Sequence, residues 1–114
     1  MNGPRDTVSR LEYLVMMESG EMPLAAIRNQ VISAVDLIVQ VDRFRDGVRR
    51  VVAITDVAGL EGEVPVLEDL WSYDPGSESF RCSGNRPSFA ARVAALGHGD
   101  ALNAALGRPG HGGR

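Results

Sequence analysis

The sequence predicts an α/β domain in which two helices precede a three-stranded meander and a C-terminal helix follows it. Three observations predict it. Up to Val35, apolar residues recur every three or four positions, as on one face of an α-helix. From Asp36 that period gives way to Leu37-Ile38-Val39-Gln40-Val41, a run rich in β-branched residues. Two glycine-bearing turn signals, Asp46-Gly47 and Gly59-Leu60-Glu61-Gly62, then divide segment 36–71 into three strand-length pieces.

The first helix starts at Pro4, whose missing N–H costs nothing in a first turn, with Asn2 or Gly3 as its cap. Val8, Leu11, Leu14 and Val15 form its inner face, Arg5, Asp6, Ser9, Arg10 and Glu12 lie largely on the other, and Gly20 stops it. Pro23 opens the second helix by the same logic. Leu24, Ile27, Val31 and Val35 make its buried stripe, and Arg28 and Asn29 face away.

Leu37 to Val41 reads as a strand covered on both faces, suited to the middle of a sheet. Asp46-Gly47 suits the positive φ angles of a two-residue type I′ turn. Such a turn sets Val41 opposite Val52, Val39 opposite Ile54, and Arg43 opposite Arg50. Like charges directly opposite are unfavourable, so a bulge or an acidic partner is expected there. Arg49 to Val57 returns, and Gly59 to Gly62 turns the chain. Val64 to Trp71 is the third strand, with Pro65 confining its start to an edge position. Asp74-Pro75-Gly76-Ser77 is a loop, and Phe80-Arg81-Cys82 can add a short strand. Pro87 opens a helix with Phe89, Val93 and Leu96 on one face. Residues 97–114 read as a flexible Gly-, Ala- and Arg-rich tail with room for a short helix from Asp100 to Leu106. Its last eight residues are too poor in apolar groups to order themselves. A central strand needs neighbours on both sides, and a meander this small supplies too few. Part of the sheet is therefore expected from outside these residues.

At 114 residues the chain has the size of one domain, and 44% hydrophobic content allows a modest core. A net charge of −3 argues against a dedicated nucleic-acid binder. The single Cys82 cannot form an internal disulfide, which fits a reducing compartment. The polar start and the short apolar runs contain neither a signal peptide nor a membrane span, so a cytoplasmic protein is expected, held at a membrane only through partners. All twelve basic side chains are Arg, and a GC-rich genome would produce this as a coding bias. Nucleotide chemistry that needs a lysine cannot come from this polypeptide alone.

The segments PRDTVSRLEYLV, from Pro4, and MPLAAIRNQVISAVDLIVQVDRFRDGVRRVVAITDVAGLEGEVPVLEDLW, from Met22 to Trp71, carry a long pattern. It resembles the C-terminal part of the type II/IV secretion ATPases, nearest the CpaF/TadA-like branch that drives assembly of tight-adherence pili. The likeness runs over residues 2–95 almost without a gap. It implies that residues 1–96 are the C-terminal portion of a RecA-like P-loop NTPase motor domain. The family binds ATP and Mg between the subunits of a hexamer, through a P-loop ending in Lys-Ser/Thr, acidic residues and a histidine box. Family members read His-Ala-Asn-Ser-Pro-Arg-Asp at the end of that box. Here Met1-Asn2-Gly3-Pro4-Arg5-Asp6 matches it, so Asn2, Pro4, Arg5 and Asp6 are the remnant, Gly3 replaces Ser, and the histidine would precede Met1.

The resemblance therefore implies the part of the motor that follows the catalytic motifs, from a truncated or split gene or a start placed too late. It implies no cofactor for this chain, no hydrolysis by it alone, and secretion or pilus ATPase subunits as partners, with inner-membrane secretion components reached through them. The expected alternative is a stand-alone interaction module that docks on an intact secretion ATPase, and a blander one is a small α+β domain of unrelated function. Arg43, Arg45, Arg49 and Arg50 at the hairpin are candidate contacts to a neighbouring subunit or a phosphate, or else a solvated strand end balanced by Asp42 and Asp46. Glu61, Glu63, Glu68 and Asp69 share no spacing that fixes them on one face. His98, His111 and Cys82 lack the company that a metal site or a reactive thiol needs.

Overall fold

A computed structural model describes residues 3–107 of the chain. Its elements are α1 (Pro4–Ser19), α2 (Leu24–Ala34), β1 (Leu37–Arg43), β2 (Arg49–Glu61), β3 (Val64–Asp74), β4 (Ser79–Cys82), α3 (Ala90–Ala95) and α4 (Gly99–Ala105). The class is mixed α and β, with one antiparallel four-stranded sheet in the order β1-β2-β3-β4. The meander thus has four strands, the short piece at Phe80 to Cys82 completing it as β4.

Helix α1 begins at Pro4 with Gly3 as cap and ends at Gly20 (φ +77°), whose N–H donates to Met16 O at 2.9 Å. The helices α1 and α2 lie on one face of the sheet around Val8, Ile27, Val31, Ile32, Ile38 and Val57. The expected placements of Glu12, Leu14, Leu24 and Arg28 are corrected. Glu12 is buried at 5% exposure, whereas Leu14 is 58% exposed. At about 100° per residue, Glu12 lies within 40° of Val8 on the helical wheel and Leu14 about 120° away, so the geometry favours Glu12. Burial of its charge is compensated by Arg28, which turns inward rather than away. Arg28 Nε and Nη2 donate to the two Glu12 carboxylate oxygens at 2.7 and 3.1 Å, and Nη1 donates to Glu63 O at 2.9 Å. The hydrogen bond that Arg28 donates to Glu12, opposed in part by desolvation, raises the Arg28 pKa above its ordinary value. On α2 the buried positions are Ile27, Val31 and Ile32, with Leu24 exposed.

The strand β1 is an edge strand and not a central one among the described residues. Its burial alternates: Ile38 is buried under the helices, while Leu37, Val39 and Val41 on the other face are 40%, 52% and 54% exposed. The continuous apolar run therefore reports two faces of which only one is covered here. In β2 the strand continues to Glu61, four residues beyond the expected end, through a bulge between Val57 and Gly59. The tight turn is Gly62-Glu63, with φ +65° at Gly62. Gly59, expected in the turn, instead takes φ +146° inside the bulged strand. Pro65 sits at the start of β3, beyond the reach of β4, where its missing donor disturbs no pairing with that strand.

After β4 the chain crosses to α3, which starts at Ala90 rather than Pro87; Pro87 O accepts from Ala90 N–H in the preceding turn at 3.1 Å. Phe89, Val93 and Leu96 share one surface beside Leu37, although Leu96 is exposed. The short helix for which the tail left room is α4, and Leu106 after it is buried. Trp71 Nε1 donates to Ala105 O at 3.2 Å, which seats α4 near the sheet. Residues 108–114, including His111, and Asn2 lie outside the described residues.

Candidate functional site

The β1–β2 hairpin gathers Arg43, Arg45, Arg49 and Arg50. Its turn is not the two-residue type expected. Phe44 N–H donates to Val48 O at 2.9 Å, and Gly47 N–H donates to Phe44 O at 2.9 Å. The loop is thus Arg45-Asp46-Gly47, with Gly47 at φ +83°. A type I′ turn needs positive φ at both central residues, and Asp46 does not adopt it. The longer loop and a bulge at Val52 change the register. Val39 faces Ile54 as expected, but Val41 faces Val51, Asp42 faces Arg50, and Arg43 faces Arg49.

A bulge and an acidic partner are both present, but the bulge exchanges one arginine pairing for another, Arg43 now facing Arg49, while Asp46 takes Arg50 as a partner. Arg50 Nη1 and Nη2 donate to Asp46 Oδ1 and Oδ2 at 3.2 and 3.0 Å, and Val48 N–H donates to Asp46 Oδ1 at 3.0 Å. The Arg50 hydrogen bond first, and that of Val48 second, hold the Asp46 carboxyl below its ordinary pKa; the same Asp46 bond raises that of Arg50. The Arg50 guanidinium also lies 4.8 Å from the centre of the Phe44 ring, and Phe44 meets Tyr73 of β3 edge to face at 5.1 Å. Arg50 is therefore a brace of the hairpin. Arg43, Arg45 and Arg49 are exposed, and the ion pairs of the described residues engage none of them. The result is a braced tip with three exposed arginines, of which Arg45 lines an open depression of about 500 Å³ together with Phe44, Asp46, Arg50, Tyr73 and Glu78.

The histidine-box remnant is elsewhere. Pro4, Arg5 and Asp6 form the first turn of α1; Arg5 Nη1 donates to Pro65 O at 3.2 Å, and Asp6 pairs with Arg10 on the surface at 3.2 Å. Pro65 follows the β2–β3 turn, at the end of β2 opposite to Arg49. The remnant and the arginine hairpin thus occupy opposite ends of the sheet and do not form one site. Cys82 is exposed, and no group of His, Cys, Asp and Glu among the described residues could hold a metal ion.

Two polar centres escaped the sequence reading. One is the Glu12–Arg28 pair. The other is Asp56, 1% exposed in β2, whose Oδ2 and Oδ1 accept from Ser88 N–H and Ser88 Oγ, both at 2.8 Å. It ties the segment before α3 to the sheet. The only signal for either was an acidic residue within an apolar stretch, which a partner remote in sequence must satisfy.

The strand-to-helix connection from β4 to α3 reads Ser83-Gly84-Asn85-Arg86-Pro87, with no glycine-rich cradle ending in lysine, and its Ser83 and Asn85 side chains are committed to the carbonyl of Asp69. No helix of the described residues is long and apolar enough to cross a membrane. No family model matches the chain, and no curated protein matches it at a significant level.

Proposed function

We propose that this chain is a non-hydrolysing assembly element of a bacterial secretion or pilus-assembly ATPase, the closing portion of its RecA-like motor domain, acting at the cytoplasmic side of the inner membrane. The observation that carries the reading is the hairpin tip: Arg45 in the loop and Arg43 and Arg49 at the flanking strand ends stand exposed on a hairpin braced by Arg50, Asp46, Phe44 and Tyr73. Guanidinium groups on a pre-ordered support lose little entropy on meeting carboxylates of a neighbouring subunit. The long resemblance from Pro4 to Trp71 names the assembly. ATP and Mg belong to the complete family member, and the lysine-free chain holds neither. A separate module that docks on an intact subunit is the second reading. It is favoured by the closed cluster that α1, α2 and the sheet form by themselves.

The test is twofold. The purified chain should turn over ATP at background and should co-purify with a secretion ATPase subunit that carries a P-loop. Turnover that follows the chain through purification, or capture of no such subunit, overturns the reading.

A further inference from the structure

The outer edge of β1 has the features of a pairing site. Asp36 O accepts from Val57 N–H at 3.0 Å, so Asp36 and Val57 form a hydrogen-bonded pair of the β1–β2 ladder. Antiparallel alternation then directs the peptide groups of Ile38 and Gln40 toward β2, and those of Leu37, Val39 and Val41 away from it. Natural edges are blunted by proline, bulges, charges or short length. The seven-residue β1 contains no proline, its one irregularity puts the extra residue in β2, and no charge lies between Leu37 and Val41. The opposite edge, β4, has only four residues.

We propose that β1 pairs antiparallel with β1 of a second copy about a twofold axis through Gln40, making one continuous sheet from two. A twofold normal to the sheet keeps each face on its own side, so the axis passes through a residue. Centred on Val39, the pairing sets Asp36 directly opposite Asp42 of the second copy, which is unfavourable. Centred on Gln40, it sets Val39 opposite Val41 of the second copy, and Leu37 opposite Arg43 of the second copy. That guanidinium then lies near Asp36, which already pairs with Arg92 of its own chain at 3.3 Å, and symmetry repeats the contact. The exposed Val39 and Val41 gain apolar neighbours, continuing the row of Ile54 and Val51 across the junction. Because the remaining outer edges are the short β4 strands, the pairing closes at two copies. This inference goes beyond the proposed role in an ATPase and does not depend on it.

Sedimentation velocity on the full chain, alone and over a wide concentration range, tests it. A monomer–dimer equilibrium with a dissociation constant in the roughly micromolar range is expected for so small an interface. Hydrogen exchange at the Leu37, Val39 and Val41 amides should slow as concentration rises. Val39→Pro removes an outward-directed N–H that an edge strand can spare and should weaken the dimer at least about tenfold. Val39→Lys, which keeps the amide, should act the same way and serves if the proline variant does not fold. Arg43→Asp, which leaves the Asp36–Arg92 pair of each chain intact, should weaken the dimer, and Asp36→Arg added to it should restore it. A monomer at every concentration, open-ended aggregates, or a dimer indifferent to both Val39 variants overturns the proposal, and failure of the charge exchange to restore pairing overturns its register. No ATPase is present in this experiment, so its failure leaves the hairpin reading untouched.

Discussion

Asp56→Ala should detach the C-terminal segment from the sheet. Asp56 is 1% exposed, and its two oxygens accept from Ser88 N–H and Ser88 Oγ at 2.8 Å each. Hydrogen bonds to a charged group contribute about 1.5–3 kcal/mol each. Ser88 itself is exposed, so water recovers part of the loss when the carboxylate goes. The expected cost of Asp56→Ala is therefore about 3–4 kcal/mol, a large share of the roughly 5–15 kcal/mol that stabilises a domain. Ser88→Ala removes only the hydroxyl bond and should cost about 1–2 kcal/mol. Asp56→Asn keeps one acceptor and should fall between the two. For a chain of this size each kcal/mol lowers Tm by about 4–8 °C. Urea unfolding followed by circular dichroism gives the free energies. Fluorescence of Trp71, the lone tryptophan, reports whether α4 remains seated, because its indole N–H is held by Ala105 O. An Asp56→Ala protein within about 0.5 kcal/mol of the parent, or one less affected than Ser88→Ala, would refute the reasoning.

Two further outcomes follow from the turns. Asp46 has a depressed pKa in the folded hairpin, so the stabilisation linked to it is present above the ordinary carboxylate range and is lost as pH falls through the lowered value. Arg50→Gln should move the Asp46 titration back up, as read from its carboxyl carbon shift by NMR; an unchanged midpoint would show that Arg50 does not brace the loop. Gly62→Ala should cost about 1 kcal/mol, measured by urea midpoint, because φ +65° strains an L-residue while a Cβ there meets nothing within 4 Å.

Much of the fold was legible because local chemistry determined it. Pro4, Gly20 and Pro23 marked helix ends through their own backbone restrictions, and the change of period at Asp36 marked the passage from helix to sheet. The inward turn of Glu12 and Arg28 was not legible, since each looks like a surface charge until the other is placed beside it. The hairpin was half legible: Asp46-Gly47 located it, but the choice between a two-residue and a three-residue loop depended on the bulge at Val52 and on the brace from Tyr73, which is remote in sequence. The run Leu37 to Val41 led to a central strand because apolar residues on both faces imply cover on both. Of that run the described residues bury only Ile38, on the helix-covered face. At the candidate site the arginines were legible as a cluster. Which of them is already engaged was not, because that depends on the three-residue loop that brings Asp46 onto Arg50.

Titration calorimetry of the chain into a P-loop-bearing secretion ATPase subunit tests the central claim most directly. The account predicts saturable binding that weakens with salt and falls at least about tenfold when Arg43, Arg45 and Arg49 are all changed to Glu, with the fold of the variant intact by circular dichroism. Absence of binding, or binding that the triple variant keeps at full strength, would contradict it.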